Sequence, residues 1–201
     1  MRLTRRHWMA AAGAATAAVA LPESLTPRAD AAPPLPAAPK AEVFRERQAK
    51  LRAAAKSRGL DVLLVTPSTN LSYAANLSMG RSERLTALFL FTDGPAVLLT
   101  PSFEENNVKR GAVFDELSTW KEDEDPYAQA ARILGRARTL GVEGSTAYGT
   151  VTRLLAAAPL QAQDAGGTFD TLRMIKSPEE RALLTDAAQR TNLAISATHR
   201  R

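Results

Sequence analysis

Two apolar runs separated by Thr92-Asp93-Gly94-Pro95 constrain the fold of this chain more than any other feature. An Asp-Gly pair between apolar segments is a tight-turn signal, because these residues tolerate the positive φ that a hairpin turn requires. The runs at residues 85–91 and 96–99 are therefore predicted to be antiparallel neighbours. Around them the pattern alternates between helical and strand periods. Residues 42–58 place Phe44, Leu51 and Ala55 on one helical face among charged side chains, and Gly59 suits a left-handed helix end. Residues 60–65 are a short apolar run ending at Thr66-Pro67, read as a buried strand.

Beyond the hairpin, residues 103–110 suit a short helix ended by Gly111, and residues 113–120 a strand. Asp125 caps a further helix whose first residue is Pro126, running to about Arg138 before Gly141. Val142-Glu143, a helical stretch at 150–157 and residues 160–164 complete the alternation. The expectation is a layered α/β domain, a mixed sheet with helices on both faces. Its length of 201 residues and 45% hydrophobic content suit one such domain with extensions, and exclude disorder throughout.

The stretch Arg173-Met174-Ile175-Lys176-Ser177-Pro178-Glu179-Glu180 reads as a hinge into another helix. Ser177 can accept a backbone N–H bond, Pro178 suits the first helical position, and Glu179 and Glu180 complement the positive end of the dipole. Leu184, Ala188, Thr191 and Ile195 then form an apolar stripe that needs something to pack against.

At the other end, Thr4-Arg5-Arg6-His7-Trp8-Met9 precedes an alanine-rich, weakly hydrophobic stretch from Ala10 to Leu21, which resembles a bacterial twin-arginine export signal carried by Arg5 and Arg6. The stretch is too short for the ~20 apolar residues of a membrane span, so no stable membrane anchor is expected. Ala29-Asp30-Ala31 suits cleavage after Ala31. Removing residues 1–31 leaves 22 basic against 19 acidic side chains, so the formal charge falls from +5 to +3. Pro33, Pro34, Pro36 and Pro39 make a stiff linker. An exported, periplasmic or secreted protein is expected.

Several chemistries are excluded. There is no cysteine, hence no disulfide and no thiolate ligand or nucleophile. The histidines are His7 and His199, so the body has no imidazole. The segment from Gly144 to Val151 imitates phosphate-loop spacing, but Thr150 stands where the lysine belongs, and it is read as a turn before a helix. Glu122-Asp123-Glu124-Asp125 lacks calcium-loop spacing and is read as a solvated loop capping the next helix. Arg81, Arg84 and Lys109 are scattered rather than clustered with aromatics, and nucleic acid is not expected as a partner.

Asn70-Leu71-Ser72-Tyr73, Gly80-Arg81-Ser82-Glu83-Arg84-Leu85, Pro101-Ser102-Phe103-Glu104-Glu105, the run from Trp120 to Tyr127, and the run from Arg173 to Glu180 together resemble landmarks of the N-terminal domain of Xaa-Pro aminopeptidases, prolidases and creatinase. The resemblance spans residues 42–200. It implies a ribonuclease-H-like α/β domain that precedes a pita-bread catalytic domain, where two Asp, one His and two Glu hold two divalent metal ions. Those ligands would lie beyond Arg201, so no catalytic or metal-binding residue is assigned in this chain. The organisation it implies is a signal peptide at 1–31, a Pro/Ala-rich linker at 32–41, the creatinase/prolidase-type domain at 42–174, and a hinge with the first catalytic-domain helix at 175–201.

The implied function is the non-catalytic portion of an exported metallopeptidase acting on proline-containing peptides, in a homodimer or with a separate catalytic domain. The alternative is a standalone exported binding module without peptidase activity. Asn70, Tyr73, Arg81 and Arg84 are the residues expected to face the active-site mouth, where an arginine fork suits a peptide carboxylate. An ordinary reading stands equally open: Asn70 as a turn residue, Tyr73 as core with a bonded hydroxyl, and the arginines paired with Glu83 or Glu104. Ala74-Ala75-Asn76-Leu77 departs from the Thr-Gly turn more common in the family.

Overall fold

The computed structural model describes residue 34 and residues 37–199. Arg5, Arg6, the cleavage expected after Ala31 and most of the linker lie outside the described residues. The described residues fall into two compact units, Ala37–Ala188 and one to which Pro34 and the helix end from Gln189 belong.

In the larger unit α1 (Ala41–Ser57) ends at Arg58 and Gly59, the latter at φ +70°. There follow β1 (Val62–Val65), α2 (Thr69–Ala75), β2 (Ala87–Phe91) and β3 (Ala96–Pro101). A 3-10 turn (Ser102–Glu104) leads to α3 (Glu105–Lys109), β4 (Glu116–Trp120), α4 (Pro126–Leu134), β5 (Thr139–Val142), α5 (Tyr148–Ala157), β6 (Gln161–Asp164) and α6 (Gly166–Met174). The helix α7 (Pro178–His199) starts in this unit. The strands form one mixed sheet in the order β4-β3-β2-β1-β5-β6, in which β2 runs against the others. The hairpin pairs Ala87 with Leu99 and Leu90 with Ala96, as the Asp-Gly turn predicts.

The central strands are apolar at successive residues because both faces are covered. Leu63, Val65, Leu88, Leu90, Ala96 and Leu98 pack with Leu51 and Ala55 of α1, Leu71 of α2, Val108 of α3 and Phe169 of α6. Their neighbours Val62, Leu64, Ala87, Phe89, Val97 and Leu99 pack on the other side with Ala130 and Leu134 of α4 and Leu154 of α5. Gln48, buried on the apolar stripe of α1, donates to the carbonyls of Ala74 (3.0 Å) and Val113 (2.9 Å), tying α1 to the end of α2 and the approach to β4.

Two sequence expectations are corrected. The helix at Pro126 stops at Leu134 rather than near Arg138, because Gly135 at φ +53° already closes it. Gly141, expected to follow that helix, lies inside β5 opposite Leu63. A Cβ there would stand 2.7 Å from Leu60 Cδ1 and Leu63 Cδ2, so the strand needs glycine for close packing. Two elements were not foreseen, α2 and α6. The first is capped by Ser68, whose Oγ accepts from the Asn70 and Leu71 N–H groups, and closed by Asn76 at φ +53°. Asparagine tolerates the left-handed conformation, so Asn76 can close the helix without a glycine.

The start of α7 has the anticipated Ser177 cap, which Glu180 completes as a capping box. The Ser177 Oγ accepts from the Glu180 N–H (3.2 Å), and Glu180 Oε2 accepts from the Ser177 N–H (2.8 Å). Leu184 is exposed. In the smaller unit, Arg190 donates to the Pro34 carbonyl at 2.9 Å, Thr198 Oγ1 to the Ala194 carbonyl at 2.9 Å, and Leu193 and Ile195 are exposed. No helix among the described residues is long and apolar enough to cross a membrane.

Candidate functional site

The four residues expected at an active-site mouth are sorted by the fold into two places. Arg81 and Arg84 share a cleft of about 570 Å³, lined also by Thr66, Ser82, Ser145, Thr146 and Thr150. Its position follows from topology. Thr66 directly follows β1, Ser145 and Thr146 follow the neighbouring parallel strand β5, and Thr150 lies in the first turn of α5. The carboxyl ends of parallel strands where connections diverge are where open α/β sheets leave a crevice.

Arg81 donates through Nη2 to the Ser145 carbonyl, and the Thr66 and Thr146 hydroxyls lie 3.5 Å apart. Arg84 grips Glu122 with Nε at 2.7 Å and Nη2 at 3.4 Å, meets Glu83 at 3.1 Å, and lies 5.7 Å from the Phe103 ring centroid. The ordinary expectation for Arg84 thus holds for Glu83, with Glu122 rather than Glu104 as the stronger partner. That pairing lowers the Glu122 carboxyl and raises the Arg84 guanidinium relative to their usual values. The cleft offers guanidinium forks and hydroxyls, which suit an anionic group such as a carboxylate, alongside the Glu83 carboxylate, and no histidine or cysteine lines it.

Asn70 and Tyr73 do not line this cleft. Asn70, in α2 rather than in a turn, donates through Nδ2 to Glu143 Oε2 and accepts from Arg173 Nη1 at 2.8 Å. Glu143 is 2% exposed, and Ser68 Oγ lies 2.9 Å from its Oε1. Asn70 therefore bridges a buried carboxylate at the end of β5 to an arginine at the end of α6. Tyr73 lines a separate groove of about 790 Å³ with Phe44, Arg47, Arg173, Met174, Glu180 and Leu184. The Arg47 guanidinium lies 4.5 Å from the Tyr73 ring centroid and 5.0 Å from that of Phe44. It donates to the Tyr73 carbonyl at 3.2 Å and to Glu180 Oε1 at 2.8 Å. Burial raises the Tyr73 phenol above its usual range.

Arg47, Glu143 and Glu180 were not singled out as site residues from sequence. One signal was present: Arg47 and Gln48 fall three and four residues after Phe44, on the stripe that continues to Leu51 and Ala55. The carboxylate run behaves as a capping loop. Glu122 pairs with Arg84, Glu124 accepts from the Lys121 N–H at 2.7 Å, and Asp125 accepts from the Tyr127 N–H at 2.9 Å. In the Gly144–Val151 segment a turn runs to Ala147, and residues 148–151 open α5. Among the described residues no group of three or more His, Cys, Asp or Glu converges in a way that could hold a metal ion.

Residues 47–175 match the family model described as the creatinase/prolidase N-terminal domain. A probable dipeptidase, PepE, of Mycobacterium tuberculosis is 30% identical over 169 residues, covering 80% of this chain and 43% of that protein. The crystal structure of dipeptidase PepE from Mycobacterium ulcerans superposes with a TM-score of 0.65 at 27% identity, covering 73% of this chain and 40% of that one. The creatinase/prolidase N-terminal domain of an X-Pro dipeptidase from Streptococcus pyogenes has the same fold, with a TM-score of 0.57 at 16% identity, and covers 65% of this chain and 98% of that one. The chain spans less than half the length of the curated relatives it matches.

Proposed function

The chain belongs to the creatinase/prolidase N-terminal domain family, and from that premise we propose that it serves as the non-catalytic, substrate-mouth portion of an exported metallopeptidase acting on small proline-containing peptides. The observation that carries this reading is the cleft at the carboxyl ends of β1 and β5, where Arg81 and Arg84 stand beside the hydroxyl side chains of Thr66, Ser82, Thr86, Ser145, Thr146 and Thr150. A peptide carboxylate is the ligand such forks fit. Proline enters through the relatives, which include dipeptidases and an X-Pro dipeptidase. The divalent ions of such a peptidase would polarise the scissile carbonyl and activate water. The described residues provide no ligand set for them, so that chemistry is assigned to no residue of this chain.

The test is release of the first residue from an Xaa-Pro peptide with added manganese, cobalt or zinc, alongside calorimetry with the same peptide. The expected outcome is no turnover above a metal-only blank, with weak binding that Arg81→Ala and Arg84→Ala reduce. Turnover by the chain, or binding indifferent to both arginines, refutes the reading. Export is carried by Arg5 and Arg6. Replacing both with lysine is expected to abolish periplasmic accumulation, and undiminished export removes that part of the proposal.

A second reading, a standalone exported binding module, is favoured by the closed core of Ala37–Ala188. The coding sequence beyond codon 201 separates the two: a continuation encoding two Asp, one His and two Glu ligands supports the peptidase portion, and unrelated sequence supports the module.

A further inference from the structure

The two ends of the sheet are finished differently. At β4, Gln129 of α4 lies over the strand, donating to Ser118 Oγ at 2.6 Å and the Thr119 carbonyl at 2.9 Å, and Trp120 is buried. At β6 all four residues, Gln161, Ala162, Gln163 and Asp164, are exposed. We propose that β6 is a pairing edge for a second copy of this chain, joined antiparallel about Ala162 so that the sheet continues from one molecule into the other.

The hydrogen bonds specify that register. Gln161 N–H donates to the Arg138 carbonyl and Ala165 N–H to the Val142 carbonyl, both at 2.7 Å, so the odd-numbered residues turn their backbone groups to β5. With the strand period of two, residues 160, 162 and 164 turn theirs outward. Two of these outward groups are already satisfied within the molecule. Leu160 N–H donates to the Ala158 carbonyl at 2.8 Å, and the Asp164 carbonyl accepts from Arg58 Nη2 at 2.6 Å. The groups left over are the N–H and carbonyl of Ala162, the carbonyl of Leu160 and the N–H of Asp164.

That remainder is self-complementary. With two copies centred on Ala162, each Ala162 exchanges a pair of bonds with its counterpart, and each Asp164 N–H meets the Leu160 carbonyl opposite. The groups already used, Leu160 N–H and the Asp164 carbonyl, are the two that would otherwise face each other, so the pairing leaves neither stranded. Gln161 falls opposite Gln163 and Asp164 opposite Leu160, so no like charges meet, whereas centring on Asp164 would oppose two carboxylates. A four-residue edge buries far less than the ~1,200 Å² of a stable interface, so the association is weak and concentration-dependent. The proposal rests on edge geometry alone and is independent of the peptidase reading.

The chain contains no cysteine, so Ala162→Cys in the full chain introduces a single thiol. A hydrogen-bonded antiparallel pair holds its Cα atoms ~5.5 Å apart, within disulfide range. Oxidation at high protein concentration is expected to give a covalent dimer of Ala162→Cys, and several-fold less from Glu116→Cys on β4. In the cysteine-free chain, the sedimentation coefficient is expected to rise with concentration. Ala162→Pro removes an outward N–H without touching the β5 ladder, and is expected to abolish that rise while the thermal midpoint holds. No cross-linking excess at residue 162 over residue 116, or self-association that survives Ala162→Pro, overturns the proposal.

Discussion

Arg47 and Arg84 each meet a glutamate at nearly the same distance, Glu180 at 2.8 Å and Glu122 at 2.7 Å. Their surroundings differ. The Arg47 and Glu180 side chains are 14% and 25% exposed, with two aromatic rings against the guanidinium, whereas Arg84 and Glu122 are 40% and 65% exposed. Water competes for the second pair and largely cancels its contribution to stability, while the first is held by packing as well as charge. Distance alone therefore does not rank two ion pairs. The groove arginine is held inside the scaffold, whereas the cleft arginine is paired with Glu122 and Glu83 at the surface.

The sharpest test of that division is Asn70, which the scaffold side claims. Asn70→Ala removes a partner of the buried Glu143 and one of Arg173, and is expected to lower stability by about 2–3 kcal/mol in urea denaturation. A loss indistinguishable from that of an exposed substitution would break the comparison. Arg47→Ala is expected to cost about 1–2 kcal/mol and to speed amide exchange in the first turn of α7, and Arg47→Lys should not restore protection because the planar fork is lost. Its counterpart, Arg84→Ala, should leave the urea midpoint unchanged.

A smaller effect comes from Asp61, exposed yet bonded to backbone. The N–H groups of Arg138 and Thr139 hold its carboxyl below the usual range. A depressed folded-state value means the contribution is present above the unfolded value of ~3.9 and is lost as pH falls through the lower folded value. Solvent screening keeps it under about 1 kcal/mol, and Asp61→Asn should flatten that part of the acid limb of the stability curve.

Much of the fold was legible because burial on both faces writes itself into the sequence as continuous apolar runs, as in Val62–Val65 and Ala87–Phe91. Caps were legible for a similar reason, since Asp125-Pro126 and Ser177-Pro178 each state a local geometry. The short helix α2 was not, because its Ser68 cap and Asn76 terminus read equally well as a turn. Gly141 misled because a glycine required for close packing inside a strand looks the same as one that ends a helix. How the four candidate side chains group in space was legible only in part. Arg81 and Arg84 do share a cleft, but Asn70 owes its role to Glu143 and Arg173, distant in sequence and joined to it only by folding.

Glu180 spends its two oxygens on different elements, Oε1 on Arg47 of α1 and Oε2 on the Ser177 N–H. A swing of the start of α7 about residue 176 that stretches the first contact drags the same side chain off the second. The heading of the helix and the integrity of its first turn then change together. An aspartate, one methylene shorter, could not span both. The direction in which α7 leaves the domain and the order of its first turn therefore hang on one carboxylate.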